Sequence, residues 1–195
     1  MWSYIKEIRK CPIVLMQKDL LLLMVTSQIE KVMDNNLEKR IGRLEDIEEI
    51  KNVITRFARG ADDGCNPEIL RPLFSDTAVF KIGDFGTYEG GDEIVRLMNA
   101  NNKTGFYWTL HYLVSPEIHI DEDGKRATAF YYLWEPAAVK KLNEVDQAYW
   151  VGGWYDAVLV KDNAQWRYQD LTLHLKLLSP NSDGWKPVAQ SFEEI

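Results

Sequence analysis

The clearest periodicity in the chain lies between residues 44 and 62, where apolar side chains recur every three or four positions. This spacing places them on one face of an amphipathic helix. The acidic residues of "LEDIEEI" fall in the first turns, where the helix dipole favours negative charge. Gly64 follows the last apolar position and predicts the end of the helix. The predicted buried face consists of Ile47, Ile50, Ile54, Phe57 and Ala61.

Long stretches rich in aromatic and β-branched residues, typical of β-strands, fill the second half of the chain. These stretches are residues 105–120, 125–136, 146–161 and 166–179. The first two are joined by "DEDG" and the last two by "DNAQ", which are short polar links that predict hairpins. Pro116 and the pair Gly152–Gly153 predict bulges or bends in the strands. The pattern therefore predicts a curved antiparallel meander.

Shorter elements connect these two regions. "NPEILRPLF" predicts a helical turn capped by Asn66, with Pro67 at its first position. "DTAVFKIG" and "FGTYEG" predict two short strands around a Gly-Asp turn, and Gly90 to Asn102 predict a further helix. The buried face of this helix is predicted to consist of Ile94, Leu97 and Met98.

Helices followed by a run of long antiparallel strands indicate an α+β fold. We expect a cone-shaped α+β barrel, in which N-terminal helices pack on a strongly curved antiparallel sheet that encloses a cavity. The predicted division of the chain is an N-terminal extension over residues 1–42, helical or partly disordered, a domain over residues 43–180, and a tail over residues 181–195.

The extension contains the apolar stretch "CPIVLMQKDLLLLMV", which Gln17, Lys18 and Asp19 divide into two short runs. Neither run approaches the roughly 20 apolar residues that span a bilayer. A small-residue cleavage site typical of a signal peptide is also missing after the apolar stretch. We therefore expect no membrane association, and an extra helix is the simpler interpretation.

The formal net charge is −7, and no predicted face carries a stripe of Lys and Arg. Because an acidic surface repels phosphate backbones, nucleic acid is not an expected partner. Cys11 and Cys65 have no metal-ligand spacing and make no disulfide framework. Reduced thiols are typical of the cytoplasm, which we predict as the location. The three histidines, too, have no metal-ligand spacing, so we expect neither a metal nor a cofactor.

His111 stands in the middle of the most apolar predicted strand, "WTLHYLVSPEIHI". Strand alternation places it on the same face as Tyr107, Thr109 and Leu113, a mixed row that is typical of a cavity wall. The simpler interpretation is a histidine packed in the core. His119 and His174 fall on the polar faces of their strands, which predicts surface positions for both.

Asp62 lies at the end of the long predicted helix, on the shoulder of its apolar face. The helix dipole disfavours a carboxylate there, so another group should stabilise it, and His111 is a natural candidate. Asp63 is an alternative partner, and both aspartates could instead be solvated. An Asp–His pair in an apolar cavity fixes one imidazole tautomer, which makes the other ring nitrogen a positioned general base.

The sequences "RLEDIEEIKNVITRFARGADDG", "LFSDTAVF", "GTYEGGDEI", "TLHYLVSPEIHIDEDGKRATA" and "WYDAVLVKDNAQWRYQDL" resemble the SnoaL-like branch of the nuclear-transport-factor-2-like superfamily. This branch includes polyketide cyclases, scytalone dehydratase, bile acid 7α-dehydratase and hexachlorocyclohexane dehydrochlorinase. The resemblance covers roughly residues 43 to 180. In dehydratase-like members an Asp at the end of the long helix pairs with a His on the first long strand, and these roles match Asp62 and His111.

One position departs from the pattern of several relatives. They carry a Tyr or Lys about five residues before the Asp, where it helps to hold substrate or leaving group, and here that residue is Phe57. Tyr88, Tyr107 or Tyr131 could supply the missing hydroxyl. A cationic residue near the end of the domain has no secure match, although Lys161 and Lys176 are possible counterparts.

The resulting hypothesis is a cofactor-independent lyase or isomerase of dehydratase type, acting on a hydrophobic polycyclic or aromatic metabolite. Two alternatives are a polyketide-type cyclase and a non-catalytic binding or scaffold domain like a dioxygenase small subunit. A homodimer is expected because one face of the long strands is more apolar than a monomer would expose. The candidate substrate-binding residues are Phe57, Phe85, Tyr88, Tyr107, Trp108, Tyr131, Trp134, Trp150 and Trp154.

Overall fold

A computed structural model of the chain describes residues 12–140 and 147–182. The chain divides into two compact units, Met1–Glu45 and Asp46–Ile195. The helices are α1 (Pro12–Asp62), α2 (Pro67–Leu70) and α3 (Gly91–Gly105), with a 3-10 turn at Arg71–Leu73. The strands are β1 (Phe74–Ile82), β2 (Gly86–Glu89), β3 (Phe106–Thr109), β4 (Tyr112–Ile120), β5 (Arg126–Val139), β6 (Gln147–Asp162) and β7 (Gln165–Asn181).

Helix α1 begins well before the predicted periodic segment, at Pro12. No Gly or Pro occurs between residues 13 and 41, and the segment is rich in good helix formers. The described part of the first unit exposes several of its apolar side chains, namely Val32, Met33, Leu37, Ile41 and Leu44. Residues 1–11 and 183–195 of the predicted extension and tail lie outside the described residues, and the division into domains stays a prediction. No described helix is both long enough and apolar enough to span a membrane.

The predicted buried face of the long helix is confirmed. Ile50, Ile54, Phe57 and Ala61 are almost fully buried, and Ile47 packs partly against them. Phe57 lies at the centre of the core, where its ring makes edge-to-face contacts with four aromatic rings, a favourable arrangement for aromatic pairs. These rings belong to Phe74, Phe80, Tyr155 and Tyr168. The helix is thereby fixed against the concave face of the sheet.

The seven strands form one open sheet in the order β2-β1-β7-β6-β5-β3, and β4 pairs with β5 beside β3. The predicted α+β fold and the meander from β4 to β7 are confirmed. The sheet is mixed, however, and not purely antiparallel, because β1 pairs with β7 in parallel. A parallel pair needs a crossover connection, and the chain from β2 to β6 provides it.

Both predicted bulge sites are present. The register between β4 and β5 shifts at Ser115–Pro116, where Ser115 has a φ of 56°. The register between β6 and β7 shifts between Gly152 and Gly153. A Cβ atom on Gly153 would lie 2.0 Å from the backbone oxygen of His174, so only glycine fits this bulge. These bulges bend the long strands of the sheet.

Candidate active site

Asp62 is the last residue of α1, and the chain leaves the helix through Gly64, which has a φ of 68°. Its carboxylate accepts a hydrogen bond from the hydroxyl of Thr109 at 3.2 Å and lies 2.7 Å from Nδ1 of His111. Asp63 is exposed and accepts a hydrogen bond from Asn66 instead. The structure therefore brings Asp62, and not Asp63, to His111.

The strand that carries His111 is interrupted at this residue. β3 ends at Thr109, β4 begins at Tyr112, and both pair with β5 in the same register. The backbone N–H of His111 donates to the two carboxylate oxygens of Asp62, at 2.9 and 3.1 Å. Asp62 thus replaces the acceptor that a neighbouring strand would provide. The interruption therefore does not leave the backbone N–H of His111 without a hydrogen-bond acceptor.

Glu135 on β5 is the second carboxyl group at the site, and no local pattern in the sequence predicted it. The common register of β3 and β4 places it directly opposite His111. One carboxyl oxygen lies 3.5 Å from Nε2 of His111. The residue is 7% exposed, which is rare for a glutamate. His111 therefore has a carboxyl group beside each of its two ring nitrogens.

The surroundings shift the pKa values of these groups. Burial acts to lower the pKa of His111, but the hydrogen bond to Asp62 and the charges of Glu135 and Asp62 outweigh it, so the pKa is raised. Burial raises the pKa of Glu135, and Asp62 adds to this effect, while His111 opposes it. Cys65 is a buried free thiol, and burial raises its pKa to about 12. At neutral pH Cys65 therefore stays protonated and is a poor nucleophile.

A cavity of about 170 Å³ lies between α1, α3 and the concave face of the sheet, and His111 forms part of its wall. Besides His111, its polar lining consists of Thr109, Glu135, Tyr88, Asn101 and Asn102. Its apolar lining consists of Phe57, Ala61, Cys65, Phe80, Ile82, Met98, Phe106, Tyr155 and Leu173. Of the predicted substrate-binding residues, Phe57 and Tyr88 are present in this wall.

A second cavity of about 370 Å³ adjoins the first. The two cavities share the wall residues Ile82, Phe106, Glu135 and Leu173. The rest of the second cavity is apolar or aromatic and includes the predicted residue Phe85. Glu135 is the only carboxylic acid in its described lining, and it stands where the two cavities meet.

The remaining predicted aromatic residues lie away from these cavities. Tyr131 is fully buried, and its hydroxyl shares a hydrogen bond of 3.0 Å with that of Tyr168. Trp134 stacks on Trp150 at 5.2 Å, and Trp154 stacks on the ring of His174 at 5.1 Å. Trp134 lies between buried Leu133 and Glu135, and Trp150 and Trp154 each precede a buried residue, so strand alternation turns these three tryptophans to the convex face.

The two residues before Thr109 also point away from the cavities. Tyr107 and Trp108 belong to β3, where both are more than one-third exposed. Nζ of Lys140 lies 5.0 Å from the ring centroid of Tyr107. Thr109 is the only residue of β3 besides Phe106 that lines the first cavity. A strand near the edge of the sheet has fewer neighbours to cover its side chains, which explains this exposure.

The other histidines and cations lie outside the site. His119 pairs with Glu117 on the surface, and His174 pairs with Asp156 on the convex face. Lys161, a possible counterpart of the cationic residue of relatives, binds Asp46 near the start of the second unit. Among residues 12–140 and 147–182, no group of His, Cys, Asp or Glu side chains has an arrangement that could hold a metal ion.

Comparisons with known proteins agree on the fold. Hexachlorocyclohexane dehydrochlorinase (LinA) type 2 is 17% identical with a TM-score of 0.69, over 75% of this chain and 97% of its own. LinA type 3 from Novosphingobium barchaimii LL02 is 15% identical with a TM-score of 0.68, over 76% and 99%. A nuclear-transport-factor-2-like protein with a cystatin-like fold, from Novosphingobium aromaticivorans, is 23% identical with a TM-score of 0.59, over 72% and 88%.

The match in sequence is independent of these structures. No curated protein matches the chain. The model of the SnoaL-like domain family matches residues 42–172, which is most of the chain and contains both Asp62 and His111. This protein belongs to the SnoaL-like domain family.

Proposed function

We propose that this protein is a cofactor-independent lyase or isomerase of dehydratase type, with His111 as the general base and Asp62 as the carboxylate that orients it. The observation that carries the proposal is the 2.7 Å contact between Nδ1 of His111 and Asp62. A carboxylate only accepts hydrogen bonds, so Nδ1 carries the proton and Nε2 keeps its lone pair. Nε2 is then free to remove a proton from a substrate in the cavity.

The substrate that we propose is small, hydrophobic and without net negative charge. Among the described residues that line the two cavities, none is Lys or Arg, so a carboxylate or phosphate would find no counter-charge. Tyr88 and Asn101 contact each other at 3.4 Å in the wall of the first cavity and provide hydrogen bonds for a carbonyl or hydroxyl group. Phe57 and Phe85 supply aromatic wall area for a ring or chain.

Two observations favour an enzyme over a binding or scaffold domain. A scaffold domain gives no reason for Asp62 to touch His111, and the two side chains are in contact. LinA, whose fold this chain shares, is described as a dehydrochlorinase, an enzyme that eliminates a proton and a chloride. A polyketide-type cyclase would use the same base on a different substrate, and a screen for water loss against ring closure separates the two.

We further propose a cytoplasmic homodimer. The convex face of the sheet exposes a group of large aromatic and aliphatic side chains, which is typical of a surface that another copy covers. This group consists of Tyr112, Val114, Tyr132, Trp134 and Leu177. Cys65 is a free thiol, which is typical of the reducing cytoplasm.

The ring opening of 5-nitrobenzisoxazole tests the general base without knowledge of the substrate. This reaction needs one proton removed from carbon, and the phenolate product is measured by its absorbance. We expect His111→Gln to lower the rate by about 10²–10⁴-fold. His119→Gln is the matched control, because His119 is exposed and pairs with Glu117. A wild type no faster than free imidazole, or an equal loss in both variants, contradicts the proposal.

A further inference from the structure

We propose that Glu135 is a second catalytic residue of this site, a carboxylic acid that protonates the leaving group, and that this leaving group is a hydroxyl. The reaction is then the dehydration of a neutral β-hydroxy ketone or a related hydroxy compound. This inference rests on the proposed function, since it needs His111 as the base. The inference goes beyond the proposed function because it assigns the acid and distinguishes this site from one that expels a halide ion.

The geometry places Glu135 where such an acid must stand. It faces Nε2 of His111 at 3.5 Å, so the base and the acid border the same space. It also lies in the wall of both cavities, so a substrate that extends from one into the other passes its carboxyl group. Asp62 holds the opposite side of the imidazole and leaves Nε2 and Glu135 as the pair that can reach the substrate.

The surroundings favour the protonated form of Glu135. The titratable groups that face it are His111, Asp62, Cys65 and Tyr155. Asp62 disfavours a second negative charge, and Cys65 and Tyr155 are neutral at neutral pH. Burial likewise raises the pKa of Glu135, and only a positive His111 would lower it. With His111 neutral before the reaction, Glu135 is kept as the acid, with a proton to donate.

The proposed step balances within the site. Nε2 of His111 takes the proton from the carbon next to the carbonyl, and the electrons of that C–H bond form the new C=C bond. The C–O bond to the hydroxyl breaks, its electron pair stays on oxygen, and the Glu135 proton converts the leaving hydroxide to water. The step leaves His111 as imidazolium and Glu135 as carboxylate.

A proton transfer between Nε2 of His111 and the carboxylate of Glu135 restores the protonation states that the site had before the reaction. The imidazolium Nε2–H and the Glu135 carboxylate stand 3.5 Å apart, or one bound water apart, and the proton returns from one to the other. The base is again neutral and the acid again protonated, without a proton from bulk solvent. A halide would make the acid unnecessary, because chloride leaves as a stable anion, whereas hydroxide is a poor leaving group.

A matched pair of substrates tests the assignment. The probes are 4-hydroxy-4-phenylbutan-2-one and 4-chloro-4-phenylbutan-2-one, which lose water or hydrogen chloride to give the same enone, followed by its ultraviolet absorbance above the uncatalysed rate. In Glu135→Gln we expect kcat/KM for the hydroxy ketone to fall by about 10²–10⁴-fold. The loss for the chloro ketone should be at least tenfold smaller.

Each other outcome has a definite meaning. Equal losses for both probes, or no loss for either, overturn the role of Glu135 as the acid. A wild type that acts on the chloro ketone and not on the hydroxy ketone overturns the hydroxyl leaving group. If wild type and His111→Gln are equally slow on the chloro ketone, the proposed function itself fails.

A measurement on the wild type keeps the test valid if Glu135→Gln does not fold. The glutamate side-chain carboxyl carbons are labelled with ¹³C, and their resonances are followed by NMR through a pH titration. We expect one carboxyl group to stay protonated at pH values where the exposed glutamates are ionised. If every glutamate is ionised at neutral pH, no acid is available and the proposal is overturned.

Discussion

One oxygen of Asp62 accepts two hydrogen bonds from His111, one from the backbone N–H at 2.9 Å and one at ring Nδ1 at 2.7 Å. The carboxylate therefore fixes both the backbone and the side chain of the histidine. The two residues are 49 positions apart in the chain, so this double contact joins the end of a helix to an interruption in a strand. A rigid imidazole is the consequence, because neither χ angle can change without breaking the ring contact.

Asp62→Asn should lower the pKa of His111. Burial already acts to lower this pKa, and the bond to Asp62 is the first effect that opposes it. The asparagine oxygen can still accept from the backbone N–H, so the fold is preserved while the charge is lost. An NMR titration of the three histidines measures the change, with His119 and His174 as internal references. An unaltered His111 titration would show that the carboxylate does not act on the imidazole.

The pH profile of the 5-nitrobenzisoxazole reaction should follow the same group. Only neutral His111 can accept a proton, so the rate falls as the pH drops below its pKa. This pKa is raised above its ordinary value of 6.5, which places the acidic limb above that pH. Asp62→Asn removes a negative charge beside the imidazole and should move the limb to lower pH. A limb that stays in place in this variant would assign it to another group.

Much of the fold could be predicted from local pattern. The long helix, the two hairpins and the bulges at Pro116 and Gly152–Gly153 each have a signal within a few residues of sequence. The parallel pairing of β1 with β7 could not be predicted, because it joins strands almost one hundred residues apart. An extra helix was expected in the extension, but its continuity with the long helix was not predicted. The apolar periodicity begins only near residue 44, and Gly42 lies just before it.

Asp62 and His111 could be predicted because each is out of place in its own element. Glu135 could not, since its position opposite His111 depends on the bulge at Ser115–Pro116. Counting back from the hairpin without that extra residue pairs His111 with Pro136, which has no side-chain chemistry. The tryptophans on the convex face were predicted to line a cavity, and the structure places them outside both cavities. Aromatic composition predicted a lining, but strand alternation, once the register is known, turns Trp134 and Trp154 outward.

Trp134→Lys should dissociate the proposed homodimer. Trp134 is 44% exposed in the single chain, so a charged side chain there disturbs an interface and leaves the core intact. Phe85→Lys is the control, because Phe85 is also an exposed aromatic residue but lies in the turn between β1 and β2. Light scattering at micromolar concentration should give twice the chain mass for wild type and control, and the single mass for Trp134→Lys. A monomeric wild type would refute the dimer.

Glu135→Gln should make the protein more stable at neutral pH and not at acid pH. The folded-state pKa of Glu135 is raised above its ordinary value of 4.5, so the wild type loses stability as the pH rises from 4.5 through the folded-state pKa. Glutamine has no charge to bury and avoids this loss. Urea unfolding at several pH values should show that the free energy of unfolding of Glu135→Gln exceeds that of the wild type by an amount that grows with pH and then levels off. A difference that does not depend on pH would show that Glu135 is not buried as an acid.

Tyr131→Phe should destabilise the fold and leave the base intact. Tyr131 and Tyr168 share a hydrogen bond between two buried hydroxyls, and removing one leaves the other unsatisfied, at a cost of about 1–3 kcal/mol. Replacing both tyrosines removes the pair together, so the double variant should lose less than the two single variants combined. Urea unfolding of the four proteins measures this coupling, and the 5-nitrobenzisoxazole rate provides the second measurement. If Tyr131→Phe keeps its stability and loses the rate, the hydroxyl acts on the substrate, a role for which Tyr131 was one of three candidates.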